Sequence, residues 1–303
     1  MEPPILLAVP NVSEGRDERT IAAVGAAFAG GGGAVGDVAN GVRLLDVHRD
    51  NDHHRSVFTL AGSSANLAEA LVRGARAAVE RVDVIGSGPI SREHPYVGAL
   101  DVAPLVYLDS RAKGAACVAA LVVADRIGEE LAVPVFLYGE LSGGRARAEL
   151  RRGGPARLGE RIAAGELRPD FGPTRLHPTA GATLVAAREP LVAFNLQLAA
   201  PATVKDARGI AALIREGGAE GLPGVRAIGV ALGGAVAQVS MNVERPLEVP
   251  LARVVEAVAR HACVSSAELV GLAPRAAMEG FPEDLPLPGF DPARHTIENA
   301  LGL

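Results

Sequence analysis

The sequence has no tryptophan, and aromatic residues of every kind make up only 3% of it. A core must therefore be assembled from Ala, Val and Leu, with little help from ring stacking. Lysine is nearly missing too. Of thirty basic residues only Lys113 and Lys205 are lysines, so almost any anion site has to use arginine, whose planar fork suits carboxylates. The two cysteines, Cys117 and Cys263, lie far apart without a CxxC pair; they give no zinc signature and fit a reduced, cytoplasmic compartment. The start, "MEPPILLAVPNVSEG", lacks the basic residues and apolar stretch of a secretory leader. The longest strongly apolar run, "AACVAALVVA", is too short to span a bilayer. A net charge of -5 offers no overall attraction to nucleic acid or to an anionic membrane.

What is present is ample core material. Hydrophobic residues reach 49% of 303 positions, enough for one large domain or two smaller ones. The strand "ILLAVP" breaks at Pro10 and is followed by the helical spacing of "DERTIAAVGAAFAG". "VRLLDVH" and "RSVFTLAG" read as strands joined by the polar "RDNDHH"; "ANLAEALVRGARAAVERV" is a second helix, and "VAPLVYL" a further strand. "KGAACVAALVVADRIGEEL" is a third helix, followed by the strand "VPVFLY". Up to the third helix the order is β-α-β-β-α-β. It returns from about residue 182, where "VRAIGVAL" and "AVAQVSMNV" flank the turn signal Gly233-Gly234. Two split βαβ units predict an α+β fold of two subdomains, residues 1–181 and 182–303, each a four-stranded sheet with its helices on one face. The stretch from 139 to 182 is rich in Gly, Pro and Arg, and for most of its arginines a solvated connector is the preferred reading. Its end, "DFGPTRLHPTAG", is the exception, a close-packed loop at a domain seam where ligands often bind.

Several motifs fall away. "GGGAVG" matches GxGxxG in form but follows a helix and opens none, so a helix C-terminal turn explains it better than a dinucleotide site. There is no GxxxxGK[ST] or HExxH. The densest polar cluster holds Asp46, His48, Asp50, Asp52, His53 and His54; it could ligate a metal, but without a fixed ligand spacing a solvated hairpin loop is preferred. Arg55, opening the next strand, is the better candidate for binding an anionic substrate. His94, between Glu93 and Pro95 with Asp101 downstream, suits proton transfer and equally suits a structural role at a strand edge.

The combination of segments separates these readings. "VPNVSEGRD", "LLDV" followed by "RSVFTLAG", "EHPYVGALDVAPLVYL", "VPVFLYGE", "RPDFGPTRLHPTAGATLVAAREPLVAFNLQL" and "ELVGLAP" occur in one order. Together they resemble the glutamate formimidoyltransferase family, from about residue 5 to about residue 275. The resemblance implies two ferredoxin-like subdomains flanking a ligand groove and association as a homodimer. It also implies transfer of a formimidoyl group from N-formimino-L-glutamate to tetrahydrofolate with release of glutamate. By the same resemblance His94 is the catalytic general acid and base, with Asp101 or Glu93 to orient it. The folate-binding loop falls on Gly172, Pro173, Thr174, Arg175, Leu176, His177, Pro178, Thr179, Ala180 and Gly181. Arg55 and Arg175 are expected to hold substrate carboxylates, with tetrahydrofolate as co-substrate and no metal. The resemblance is to the transferase module, and the cyclodeaminase domain fused to it in some members is not expected here.

Two departures matter. Thr179-Ala180 stands where members often carry an aromatic residue, which removes a stacking surface for a pterin, and His54 stands where they carry Asn. They leave open an ATP-dependent 5-formyltetrahydrofolate cyclo-ligase and a folate-binding protein without turnover.

Overall fold

The computed structural model describes residues 4–31, 34–86, 95–233 and 236–303, and the chain divides into two compact units, Met1–Glu189 and Pro190–Leu303. The first begins with β1 (Leu6–Ala8), β2 (Asn11–Val12), α1 (Glu18–Ala29), β3 (Val38–Ala39), β4 (Val42–Asp50), β5 (Arg55–Gly62) and α2 (Ser64–Arg81). It continues with β6 (Leu100–Tyr107), α3 (Lys113–Leu131), β7 (Val135–Leu137), α4 (Arg147–Arg151), α5 (Gly154–Ala163) and β8 (Thr183–Arg188). The second contains β9 (Val192–Leu198), α6 (Val204–Ile214), β10 (Val225–Ala231), β11 (Ala237–Val243), α7 (Leu251–Ala259) and β12 (Val264–Val270), then the short α8 (Pro292–His295) and α9 (Ile297–Leu301).

Local chemistry sets the helix ends. Asp17 caps α1 by accepting from the Arg19 N–H, and Gly30 closes it in the left-handed region at φ 82°. Ser63 caps α2, and Thr203 with Asp206 forms a capping box on α6.

Each unit has its own sheet, so the molecule is α+β. In the first the strand order is β3-β4-β5-β1-β6-β8-β7, with β2 pairing both β5 and β6. All of its pairings are antiparallel except β6 with β8 and β7 with β8. The second unit is an antiparallel sheet in the order β10-β11-β9-β12. The expected hairpins form: β4 and β5 run in register from Val42↔Gly62 to Asp50↔Arg55, and β10 and β11 from Val225↔Val243 to Ala231↔Ala237. Gly234 of the second turn signal lies outside the described residues.

Two expectations differ from the structure. The first sheet is not four-stranded. "ATLVAA" was expected to open the second subdomain, yet β8 inserts in parallel between β6 and β7, and the units divide at Glu189 and Pro190. A strand buried along nearly its whole length suits such a central parallel position, and Pro190 interrupts it before β9 begins. Nor does the connector simply lie in solvent. Leu150, Leu158 and Ile162 of α4 and α5 bury Val102, Phe136, Leu184 and Ala186, on the sheet face opposite α1, α2 and α3.

The shortage of aromatics is offset by close approach. Phe28 and Phe58 meet at a centroid distance of 5.1 Å, and a Cβ on Gly74 would lie 2.0 Å from the Phe28 ring. Helix α2 can sit against α1 there only because Gly74 has no side chain.

Candidate functional site

Asp101 is the second residue of β6, buried at 4% exposure. One carboxylate oxygen accepts the Val97 N–H at 2.8 Å, and the other pairs with the guanidinium of Arg151, itself 8% exposed at the end of α4. A buried carboxylate is tolerable only with such a partner. The pair ties α4 to the chain that leads out of the "EHP" segment. His94 itself lies outside the described residues.

That chain is also bound to the expected folate loop. Gly98 and Gly181 form an antiparallel bridge, the Ala99 N–H donates to the Ala180 carbonyl at 2.8 Å, and the Ala182 N–H donates to Val97 at 3.0 Å. A Cβ on Gly98 would lie 1.9 Å from the Ala182 oxygen, and Gly181 adopts φ 72° with Val97 O 2.3 Å from where its Cβ would be. Only glycine meets both demands. Within the loop, the Nδ1 of His177 accepts from the backbone N–H of Thr179 at 3.3 Å and of Ala180 at 3.0 Å. Burial lowers the His177 pKa below its ordinary value, which favours the neutral ring that can accept. Arg175 is exposed on this loop.

A small pocket opens beside Asp101, lined by Asn11, Val12, Ser13, His53, His54, Arg55, Tyr96 and Asp101. Ser13 anchors its floor, donating from its side chain to Gly98 O at 2.7 Å and from its backbone to Ala99 O at 2.8 Å. The β4–β5 turn forms the wall. Asp50 and His53 are both buried, with Oδ2 and Nδ1 2.6 Å apart, and Arg55 Nε lies 3.7 Å from the same carboxylate. Burial alone would raise the Asp50 pKa; the hydrogen bonds and charge of His53, with Arg55 adding, outweigh it and hold the carboxyl below the usual range. His54 takes a left-handed conformation at φ 51°, and its Nδ1 accepts the Gly15 N–H at 3.0 Å. "SEG" therefore packs onto the turn through Gly15, where a Cβ would lie 2.3 Å from Asp50 O.

The structure thus brings Arg55 and Asp101 to one pocket and joins the segment after His94 to the 172–181 loop, while Arg175 is not among that pocket's lining residues. The polar turn is more than a solvated hairpin, since His53, His54 and Asp50 are all buried. Sequence reading missed Arg151, which is fifty positions from Asp101 and looks like any other arginine of its stretch. Arg151 stands directly beside Arg152, and nothing in the local sequence marks the first as buried and the second as exposed.

An α+β protein with a polar, arginine-bearing pocket beside a glycine-anchored loop is the class these features define. Residues 5–188 match the family described as "Formiminotransferase domain, N-terminal subdomain". The chain is 35% identical over 307 aligned residues to the glutamate formimidoyltransferase of Streptococcus pyogenes serotype M1, covering 98% of both proteins. It is 32% identical to the glutamate formimidoyltransferase of Thermoplasma acidophilum, covering 93% of both. Against the formimidoyltransferase-cyclodeaminase of Sus scrofa it is 36% identical, with 89% of this chain covered but 50% of that protein, so it spans about half the length of that relative. The chain belongs to the formiminotransferase family.

Two measurements probe the site. Replacing Arg151 by Met leaves Asp101 buried without its countercharge, and urea unfolding should report a loss of about 3–5 kcal/mol. The double variant with Asp101→Asn should recover part of it, and a loss below about 1 kcal/mol would remove the pair from its structural role. The second concerns pH. Because the folded pKa of His177 is depressed, the unfolded chain binds more protons below about 6.5, so this residue's contribution is complete above that value and is lost as pH falls towards the folded pKa. The melting temperature of the wild type should drop more between pH ~7 and pH ~5 than that of His177→Asn, which retains an acceptor but does not titrate. Parallel curves would contradict this.

Proposed function

We propose that the protein transfers a formimidoyl group from N-formimino-L-glutamate to nitrogen-5 of tetrahydrofolate and releases L-glutamate. The observation that carries this reading is the pairing of residues 97–99 with 180–182, which joins the strand following "EHP" to the loop expected to hold folate. Family membership and full-length similarity to proteins named glutamate formimidoyltransferase support it further.

In the proposed step the folate amine attacks the amidine carbon and gives up its proton as the tetrahedral adduct forms. The carbon–nitrogen bond to glutamate then breaks, and the departing amine takes a proton. One imidazole near pKa ~6.5 can accept the first proton and return the second; His94 is assigned that role. Asp101 acts on it through the chain, because its carboxylate fixes Val97 just downstream. Arg55, in the pocket, and Arg175, on the loop, are assigned to the glutamate carboxylates of the two substrates. The proposed step uses these groups and the co-substrate, with no metal.

Both units are read as ferredoxin-like in the same proposal. The βαββαβ order recurs, and so does the arrangement of the second, third, first and fourth strands: β4-β5-β1-β6 in one sheet and β10-β11-β9-β12 in the other. Association as a homodimer is also proposed. Its support is the exposed apolar stripe of Val118, Leu121 and Val122 along α3. Sedimentation at micromolar concentration should report a dimer, and a monomer would remove the assignment.

The activity test is turnover of formiminoglutamate with tetrahydrofolate in the absence of ATP and in the presence of a metal chelator. His94→Ala should melt like the wild type while turnover falls by roughly 100-fold or more. Undiminished turnover in a stable variant would overturn the role of His94. ATP-dependent closure of 5-formyltetrahydrofolate, without formimidoyl transfer, would replace the transferase with a cyclo-ligase.

A further inference from the structure

The β4–β5 turn sets two adjacent buried histidines, His53 and His54, in the lining of one pocket. Their Nδ1 atoms do opposite things. Asp50 Oδ2 lies 2.6 Å from Nδ1 of His53, and Asp50, held as the carboxylate, can only accept the proton there. The neutral His53 ring therefore carries its lone pair on Nε2. For His54 the partner is the Gly15 N–H at 3.0 Å, which can only donate, so Nδ1 carries the lone pair and Nε2 the proton. Glu14 Oε1, 3.4 Å from the same Nδ1, favours a proton there, but it already accepts the Arg16 and Asp17 N–H groups at 2.7 and 3.0 Å. The shorter backbone bond decides the tautomer.

Neither Asp50 nor Gly15 lines the pocket, so both rings turn Nδ1 away from it and offer it the edge that bears Nε2. His54 holds a left-handed conformation at φ 51°, which asparagine adopts as readily, and an asparagine oxygen could accept from Gly15 as well. What the imidazole adds is a donor at Nε2. The pocket has use for one. Arg55 lies 3.7 Å from Asp50, and Asp101 is matched by Arg151, so these charges balance and an incoming carboxylate needs a further donor. An acceptor beside a donor and a guanidinium is complementary to an N–H one carbon away from a carboxylate. N-Formimino-L-glutamate has that pair at its α-carbon.

We propose that His53 and His54 are a specificity-determining pair for the formimidoyl donor: His54 Nε2–H joins Arg55 on the α-carboxylate, and His53 Nε2 accepts from the neighbouring α-nitrogen. The assignment rests on the proposed function and adds to it the residues that read the donor rather than the folate.

Asparagine variants separate this role from a structural one, because the amide stands where Nδ1 was. His53→Asn can still donate to Asp50 and His54→Asn can still accept from Gly15, while each loses Nε2. Both should melt close to the wild-type temperature and raise the KM for formiminoglutamate about 10-fold or more, with the KM for tetrahydrofolate kept within about threefold. Two inhibitors probe the N–H itself: N-formyl-L-glutamate and 2-formyloxyglutarate, in which an ester oxygen replaces the N–H. The wild type should prefer the first by about 10-fold, His54→Asn should keep that preference and His53→Asn should lose it. The inhibitor arm on wild-type protein stands even if a variant fails to fold. An unchanged KM for formiminoglutamate in either variant, or no preference between the inhibitors in the wild type, overturns the pair. A lowered melting temperature with both KM values raised together makes the residues structural and overturns it too. A wild type that transfers no formimidoyl group from formiminoglutamate is a separate result and removes the functional reading itself.

Discussion

The carboxylate of Asp101 sits where three parts of the first unit meet. It caps the Val97 N–H, it neutralises Arg151 at the end of α4, and its strand carries the residues that pair with the 172–181 loop. Burial makes these contacts interdependent. A charged carboxylate shielded from water needs its guanidinium, and the guanidinium is in place only if α4 packs down through Leu150. The site beside it inherits this rigidity. Tyr96 and Asp101 form one side of the pocket, and the Ser13 hydroxyl, bonded to Gly98, forms another.

Glycine does the remaining work of bringing backbones together. Gly98 against Gly181 and Gly15 against the β4–β5 turn are both approaches at which a single methyl group would collide with a carbonyl oxygen. With few aromatic residues available, the chain fills its core with small aliphatic side chains and lets its segments touch directly. The glycines of "SEG" and "PTAG" mark such contacts in this chain.

The β4–β5 turn joins electrostatics to shape. Asp50, His53 and Arg55 form a compact buried group whose carboxyl is held ionised by its neighbours, and His54 is turned inward to accept from Gly15. A stretch rich in Asp and His reads in sequence as a good solvent-exposed turn. Folding places it instead against the chain between β2 and α1, so its polar groups must bond within the protein.

Much was determined by the sequence alone. Apolar periodicity and turn residues locate the hairpins β4–β5 and β10–β11, the helices α1, α2, α3, α6 and α7, and the repeated βαββαβ order, because these signals are local to a few residues. The ordered motifs likewise identify the family and nominate Asp101, Arg55 and the 172–181 loop. Tertiary structure decided what depends on distant partners. It placed β8 between β6 and β7 in the first sheet, put Arg151 against Asp101, and buried the Asp50–His53 pair. A strand's sheet and a side chain's burial are set by pairing and desolvation across many tens of residues, and neither leaves a trace in local spacing.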